Sequence, residues 1–428
     1  MTHLSDALRS VLPSESVQDD AESLAAFSVQ AVRPACVVTP GTIEELQTVM
    51  RVAAEHRAAL APWGGGTQQL IGASPSRLDL VVRTMRLDRV LAHTPDDLTI
   101  SVEAGMTFGA LRAYLRQHGQ MLALDPPLPD RATIGGLIAT ATDGPRRLGY
   151  GTLRDVLIGV AVVEIGGRLS RGGGMVVKNV SGFDMMKLYL GSFGTLAVIA
   201  SANFKLLPLP RAAGTIVCRF AESQQAFAAL DELDGTQLAP VAAEYLNRGA
   251  LSALGYSGVC ALALAAEGLP QAVERQMRDM SALARRHGVH SVAQLNGSEA
   301  EALWAGIADL SQTAVLAPDE AVVKVSVLPA DVADVVVRCE AAAAGAGASV
   351  VIDARALSGI LYLRVRSITS ASLSSMLADL PGVQWVATTL PDTPRWGAPP
   401  QGIEVMRRIR EEFDPLRLLN PGRFLPGV

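Results

Sequence analysis

Three consecutive glycines follow a short apolar segment in "PWGGGTQQL", residues 62–70. The residues before them predict a strand at 35–40, a helix whose first turn is capped by Thr42, and a second strand at 58–62. This order indicates a parallel pair of strands, with the glycines at the carboxyl end of the second one. Because ligands bind at that edge of open α/β sheets, the loop is the first place to look for a site.

Two interpretations of the glycine loop compete. Glycine lets a ligand approach the backbone amides closely, so the loop could cradle a phosphate, whereas a flexible surface turn needs the same residues. A P-loop is excluded because no Lys-Ser or Lys-Thr pair follows the glycines, and the chain contains no G-x-G-x-x-G. By itself the loop favours the turn.

Further glycine clusters change that balance. A strand at 99–103 leads to a helix capped by Thr107, and the prolines near residue 127 then fix an extended loop. Thr133 and the residues up to Gly136 begin a helix of small residues, whose first amides would form an anion site. In "GSFGTLAVI", residues 191–199, the chain turns from a helix back into a strand.

Composition limits the classes of function. A length of 428 residues predicts two domains or more, and 49% hydrophobic with 18% charged residues suits a globular protein with a large core. The net charge of -5 gives no reason to expect nucleic acid or an acidic membrane surface as a partner. The four scattered cysteines predict reduced, buried thiols. The start shows no signal-peptide pattern, and the apolar run at 156–163 is too short to span a bilayer, so we expect a cytoplasmic protein without direct membrane insertion.

The pattern changes near Pro210. Strands and helices alternate from 214 to 382, which predicts two β-α-β halves and a ferredoxin-like cap domain. A proline-rich loop at 388–402 follows, with Arg395 and Trp396 as its candidate functional residues, and a helix and tail then return to the first domain. The expected fold class is therefore α+β, with domains at 1–209, 210–388 and 389–428.

The order of the sequence blocks resembles the FAD-binding domain of the p-cresol methylhydroxylase and vanillyl-alcohol oxidase type. Within that superfamily the chain is most similar to the smaller FAD-binding subunit of glycolate oxidase. The matching blocks are "PWGGGTQ" (62–68), "VEAG" (102–105), "TIGGLIAT" (133–140), "RRLGYG" (146–151), "VKNVSGFDMMKLYLGSFGTLAVI" (177–199) and "FDPLRLLNPGRF" (413–424).

The resemblance implies roles for individual residues. The first glycine loop would hold the FAD diphosphate, the 133–140 block would line the isoalloxazine and the diphosphate from the other side, and the remaining positions would lie near the flavin entrance or the adenine end. The implied cofactor-binding residues are Pro62, Gly64, Gly65, Gly66, Thr67, Gln68, Thr133, Ile134, Gly135, Gly136, Thr140, Tyr150, Gly151 and Ile199. Asn420 and Pro421 would fold back to the first domain.

Two further features bear on the cofactor. Some relatives bind FAD covalently through a His or Cys near the first glycine loop, and this loop contains neither, so a non-covalent FAD is expected. Arg146 and Arg147 could neutralise phosphate, or they could be a solvated surface pair. Lys178 and Asn179 belong to a matching block, but no chemistry can be assigned to them.

The cap departs from the catalytic members of the superfamily, which carry an H-x-G-D-G-x-x-H block. None of the six histidines lies in the later cap strands, where "VVIDARALSGILYLRV" offers Asp353 and Arg355 instead. The pair His287 and His290 flanks Gly288, which predicts a helix end and a surface pair, so no metal site is expected. The catalytic residues are therefore unknown.

Three hypotheses remain. The first is the FAD-binding subunit of a glycolate oxidase complex, which converts glycolate to glyoxylate together with a larger catalytic FAD subunit and an iron–sulfur subunit. Those partners would hold it at the periphery of the inner membrane. The second is an autonomous FAD-dependent hydroxy-acid or alcohol oxidase using Asp353, Tyr362, Arg364 or Arg395 in place of histidine. The third is a structural subunit whose flavin site has decayed.

Overall fold

The computed structural model describes residues 4–175 and 183–428. The chain divides into two compact units. The first contains the described residues of Met1–Thr142, Thr152–Pro208 and Pro399–Val428, and the second contains Asp143–Gly151 and Leu209–Ala398.

The first unit begins with a four-stranded sheet in the order β1-β2-β4-β3. Its strands are β1 (Val17–Gln18), β2 (Cys36–Val38), β3 (Leu60–Trp63) and β4 (Leu80–Arg83). The expectation of a parallel pair requires a correction, because β2 and β3 are not neighbours. Each pairs in parallel with β4, which lies between them. The fully apolar run "LVV" at the start of β4 suits this central position, since it is buried from both sides.

A second, antiparallel sheet completes the first unit, in the order β5-β6-β10-β8-β9. Its strands, with those of a small two-stranded sheet, are β5 (Val90–Thr94), β6 (Thr99–Glu103), β7 (Gln120–Met121), β8 (Leu157–Val163), β9 (Leu169–Gly173), β10 (Val198–Lys205) and β11 (Leu207–Pro208). A hairpin turn at Gly166 and Gly167 joins β8 to β9.

Helices pack on both sheets of the first unit. They are α1 (Leu4–Arg9), α2 (Ala21–Ala26), α3 (Ile43–Glu55), α4 (Phe108–Gln117), α5 (Ile134–Thr140), α7 (Leu153–Val156), α8 (Met186–Tyr189) and α15 (Ile403–Phe413). Thr42 caps α3 as predicted, because its side chain accepts a hydrogen bond from the Glu45 amide. Leu46, Val49 and Met50 on one face of that helix are fully buried against the sheet.

The second unit is built on one antiparallel sheet in the order β15-β12-β14-β13-β17-β18-β16-β19. Each half has the strand and helix order β-α-β-β-α-β, and β13 and β17 join the halves at the centre. The strands are β12 (Ala212–Phe220), β13 (Ala242–Asn247), β14 (Cys260–Gly268), β15 (Ser291–Leu295), β16 (Glu320–Ser326), β17 (Ser349–Arg355), β18 (Ile360–Arg366) and β19 (Val383–Thr388).

The two faces of this sheet differ. Its helices are α6 (Arg147–Tyr150), α9 (Ser223–Asp234), α10 (Arg248–Ala253), α11 (Pro270–Arg286), α12 (Gly297–Leu310), α13 (Val332–Gly345) and α14 (Ser370–Asp379). Side chains of α9, α11, α13 and α14 pack into the large core on one face. The other face carries α10 and α12 over part of its area, where Leu303 and Ile307 contact Leu246 and Val351. The rest of that face holds polar side chains.

Two segments group differently from the domain boundaries expected above. Residues 143–151 belong to the second unit because α6 packs on β13, where the Gly149 amide donates to the Val241 carbonyl. Residues 389–398 belong to it because the Val386 amide donates to the Arg395 carbonyl. In the described part of the chain, no helix is long and apolar enough to cross a membrane.

All four cysteines are free and buried, and burial raises the pKa of Cys36, Cys218 and Cys339 to about 12 and that of Cys260 to about 11. We therefore expect an aromatic disulfide reagent to label no thiol in the native protein at pH 8, because thiolates are both scarce and shielded. Labelling should reach four per chain in denaturant. Rapid labelling of a thiol before unfolding would contradict the packing described here.

Candidate functional site

The first unit contains an open cavity of about 800 Å³ at the carboxyl end of β3. Strand ends, loop backbone and small side chains form most of its wall. Its lining residues are Pro62, Trp63, Gly64, Gly65, Gly66, Thr67, Gln68, Gln69, Ile71, Thr84, Thr133, Gly135, Gly136, Ala139, Thr140, Phe193, Gly194, Ala197, Val198, Ile199, Asn420 and Arg423. A concave site with this lining can hold a ligand against exposed backbone.

Close backbone packing explains the glycines at 64 and 65. A Cβ added to Gly65 would lie 1.8 Å from the Arg131 carbonyl oxygen, and one added to Gly64 would lie 2.1 Å from Thr133 Oγ1. Only glycine allows the loop to pass so close to the segment that begins α5. The loop is therefore fixed from below by residues 131–133 and is not a flexible surface turn.

The glycine loop offers unused hydrogen-bond donors. Within the described residues, the backbone N–H groups of Gly64, Gly65 and Gly66 donate to no protein acceptor. Gly66 has φ +70°, a left-handed conformation that favours glycine, and its backbone passes over the Trp63 indole. Consecutive N–H groups in such a turn form a concave site for an anion.

The start of α5 does not offer such donors, which corrects one expectation from the sequence. The Ile134 amide donates to the Met106 carbonyl at 2.9 Å and the Gly135 amide to the Ala104 carbonyl at 2.7 Å. The Gly136 amide donates to Thr133 Oγ1 at 3.3 Å. The cap and the turn that follows β6 thus occupy the amides that were expected to bind phosphate, and anion binding falls to the loop at 64–66.

The remaining wall also suits an FAD. Asn420 is buried beside the cavity, and its Oδ1 accepts no hydrogen bond in the described structure, so it is available to a hydroxyl or amino group of a ligand. Ala139 and Gly136 provide a thin wall for a flat ring. The lining residues include no His, Cys or Tyr, the side chains through which flavins are attached covalently. The residues present therefore fit a non-covalently held FAD.

Most of the predicted cofactor residues meet at this cavity. Pro62, Thr133, Thr140, Ile199 and residues 64–68, 135 and 136 line it. Ile134 faces the core and is 1% exposed. Tyr150 and Gly151 are not among the lining residues, because their segment belongs to the second unit.

The Tyr150 segment is held by ion pairs. Tyr150 donates its hydroxyl proton to Glu267 at 2.7 Å, and burial with this bond raises its pKa well above the ordinary value. Arg146 pairs with the same Glu267 carboxylate at 2.6 Å. Arg147 pairs with Asp143 at 2.6 Å. Both arginines thus have carboxylate partners in their own unit, and neither lines the cavity that would hold a phosphate.

Several lining residues were missed by sequence reasoning. Trp63 and Thr84 lie at the ends of adjacent strands, so the true strand order would have been needed to place them. Phe193 and Gly194 stood in a matching block but carry no chemical signal of their own. Arg423 comes from the C-terminal segment, more than 350 residues away from the loop it contacts.

A second polar cluster lies on the face of the second unit's sheet that also carries α10 and α12. Glu244 on β13, Asp353 and Arg355 on β17, and Tyr362 on β18 are buried side by side. Arg355 forms an ion pair with Asp143 and lies 4.8 Å from the Tyr362 ring.

The carboxylates of Glu244 and Asp353 both lie near one guanidinium group, that of Arg355. The Glu244 carboxylate lies 4.0 Å from Arg355 and also contacts Asp353. Burial raises the pKa of Asp353 to about 6. Three carboxylates share two guanidinium groups here once Asp143 and Arg147 are included, so Asp353 takes up its proton at a higher pH than a free aspartate does.

The other replacement bases proposed from the sequence have structural roles. Arg364 pairs with the buried Glu320 at 2.9 Å, and Arg395 donates to the backbone carbonyls of Thr388 and Leu390. His287 bonds Glu232 at 2.6 Å. No group of three or more metal-binding side chains occurs in the described ranges. Lys178 and Asn179 lie outside the described residues.

Two family descriptions match this chain. Residues 34–182 match "FAD binding domain", and residues 209–365 and 395–424 match "FAD linked oxidases, C-terminal domain". The first contains the glycine loop and α5, and the second ends in the segment that carries Asn420 and Arg423.

Relatives and solved structures agree with these matches. The chain is 27% identical to glycolate oxidase subunit GlcD of Bacillus subtilis over 91% of its own length and 88% of the relative's. It is 34% identical to glycolate oxidase subunit GlcE of Escherichia coli over 41% of its length and 45% of that protein's. The structure of p-cresol methylhydroxylase with substrate bound superposes with a TM-score of 0.78 at 14% identity, covering 99% of this chain and 96% of that one, which shows a common fold.

Proposed function

Because the chain belongs to the FAD-linked oxidases with the p-cresol methylhydroxylase fold, we propose that it is an FAD-binding subunit of a glycolate oxidase complex, oxidising glycolate to glyoxylate. It is an FAD-dependent oxidoreductase, and its relatives include glycolate oxidase subunits and D-lactate dehydrogenases. The observation that carries the proposal is the row of three unused N–H groups at residues 64–66, which line a cavity together with α5 and Asn420.

The residues of the cavity would divide the work of holding FAD. The amides of residues 64–66 would donate to the diphosphate, whose charge requires donors without side-chain bulk. Asn420 Oδ1 would accept a hydrogen bond from the cofactor, and the Gly136–Ala139 face of α5 would leave room for the ring. Bound there, FAD supplies the two-electron acceptor for the hydride of a hydroxy acid.

Removing that hydride also needs a base near the substrate hydroxyl. The cavity lining contains no carboxylate, His or Tyr, so this wall supplies no such group. We therefore propose that a larger catalytic FAD subunit carries the hydroxy-acid chemistry and that electrons leave to an iron–sulfur subunit. The names of both glycolate oxidase relatives describe them as subunits, which supports an assembly.

A second candidate is an autonomous hydroxy-acid oxidase. Asp353 favours it, because its raised pKa is typical of an acid–base group. However, Asp353 is only 1% exposed. The third hypothesis, a decayed flavin site, is disfavoured by the intact close packing of Gly64 and Gly65.

The chain purified alone with FAD distinguishes the first two candidates. We expect its flavin to stay oxidised when glycolate or D-lactate is added without oxygen, because the cavity lacks a base, and to be reduced by dithionite. Absorption in the visible range measures both. Bleaching by glycolate alone would assign the oxidation to this chain and reject the subunit proposal.

A further inference from the structure

The C-terminal segment at residues 418–424 contributes part of the wall of the cavity. It follows α15 and presents Asn420 and Arg423 to the cavity. The segment belongs to the first unit, yet it forms no regular strand or helix of its own. Its position is therefore set by the individual bonds it makes.

Arg423 joins this segment to the residues that directly follow the glycine loop. Its Nη1 donates to Gln69 Oε1 at 2.8 Å, and its Nη2 donates to the carbonyls of Gln69 and Ile71 at 2.8 and 2.7 Å. Its own carbonyl accepts from the Ala73 amide at 3.0 Å. The side chain is 6% exposed, and burial lowers its pKa to about 10. Arg423 thus holds the backbone at 69–73 through both its planar guanidinium and its own carbonyl.

The same segment is bound to the opposite wall. Asn420 Nδ2 donates to the Phe193 carbonyl at 2.7 Å, and the Phe424 ring stacks on the Phe193 ring with centroids 5.2 Å apart. The Asn420 amide also donates to the Leu60 carbonyl at 2.8 Å. A single short segment therefore connects the glycine-loop wall with the Phe193 wall, and it sets the distance between them.

We propose that docking of residues 418–424 and binding of FAD are thermodynamically coupled, and that Arg423 is the positioning residue through which the coupling acts. The inference rests on the proposal that this cavity is the FAD site. FAD would contact both walls, and the docked segment holds both walls in place. Coupling of this kind is reciprocal, so FAD must stabilise the docked segment by the same factor as the segment strengthens FAD binding.

Hydrogen exchange of the full chain tests whether FAD binding stabilises the docked segment. We expect saturating FAD to slow exchange of the Asn420 and Ala73 amides by about 10-fold or more, because both donate in the docked state. Riboflavin, which lacks the diphosphate and the adenosine, should leave their exchange unchanged. Protection by FAD confined to other peptides would overturn the inference.

Substitution of Arg423 tests whether the docked segment strengthens FAD binding. Arg423→Gln is expected to weaken FAD about 10- to 100-fold, since it removes charge-assisted bonds to the backbone at 69–71. Arg423→Lys should not restore affinity, because an ammonium group cannot reproduce the planar fork. The matched control is Arg408→Gln, which alters an exposed arginine on α15 and should bind FAD like the wild type.

The outcomes separate the two proposals. If the wild-type chain binds FAD but Arg423→Gln binds it equally well, the coupling is wrong and the FAD site stands. If Arg423→Lys restores both the affinity and the exchange protection, charge and not positioning is the role of Arg423, which also overturns the inference. A wild-type chain that binds no FAD would overturn the proposed function together with the inference.

Discussion

Gly65→Ala is expected to remove FAD from the purified chain while both units remain folded. The new methyl group would lie 1.8 Å from the Arg131 carbonyl oxygen, which is backbone and cannot rotate away. The loop must shift, and the three unused N–H groups at 64–66 would shift with it. With each charge-assisted bond contributing roughly 1.5–3 kcal/mol, we expect FAD affinity to fall by at least about 100-fold.

Two other glycines serve as controls for this prediction. Gly166→Ala places a methyl group where nothing lies within 4 Å, so cofactor content should be unchanged. Gly64→Ala meets the Thr133 hydroxyl, a side-chain atom that can turn away, and should have an intermediate effect. Flavin absorbance per chain measures cofactor content, and circular dichroism checks the fold. A Gly65→Ala protein with full flavin content would show that the loop does not hold the cofactor.

Two aspartates that neighbour the same arginine should respond in opposite directions. Asp143→Asn removes the carboxylate paired with the buried Arg355 and is expected to lower the free energy of unfolding by roughly 2–3 kcal/mol. Asp353→Asn removes the surplus negative charge beside Glu244 and supplies an amide donor to it. We expect this variant to be more stable than the wild type at pH 8 by roughly 1–3 kcal/mol.

The effect of Asp353→Asn should depend on pH. Burial raises the pKa of Asp353 from 3.8 to about 6, so the folded protein binds this proton more tightly than the unfolded chain. The stability contributed by the protonated group is therefore complete below about pH 4 and is lost as the pH rises through about 6. The charged groups that face Asp353 are Glu244 and Arg355, with Asp143 and Tyr362 beyond the arginine.

Urea unfolding at pH 5 and pH 8 measures both aspartate variants. The advantage of Asp353→Asn over the wild type should be large at pH 8 and small at pH 5. Asp379→Asn, at an exposed position on α14, is the matched control and should follow the wild type at both values. Equal destabilisation by Asp143→Asn and Asp353→Asn at pH 8 would mean that the charge of Asp353 does not destabilise the folded protein.

Local chemistry in the sequence predicted many elements of the fold. Thr42, Thr107 and Thr133 each cap a helix. Each threonine is itself extended and stands before residues at helical spacing, so its hydroxyl accepts a hydrogen bond from the first turn. The glycine loop was predicted at the carboxyl end of the second strand, and in the structure it follows the carboxyl end of β3. The local order of strand, helix and strand was enough for this prediction. These inferences depend on residues close together in the chain.

The remaining features of the fold and of the cavity could not be predicted, because they depend on residues far apart in the chain. The apolar run at 80–83 gave no sign that it would lie between β2 and β3, because parallel neighbours are chosen by the whole sheet. The α5 amides seemed available until the structure showed Ala104 and Met106 as their acceptors. Arg423 carried no signal as a residue of the cavity, since its partners at 69–71 lie at the other end of the chain.

Release of flavin by acid tests the central claim most directly. The chain is purified with excess FAD, desalted, and its visible spectrum is recorded before and after acid precipitation. The account predicts about one FAD per chain, all of it in the supernatant, because the cavity binds FAD and none of its lining residues can attach it covalently. A colourless desalted protein, or flavin that stays with the precipitate, would contradict it.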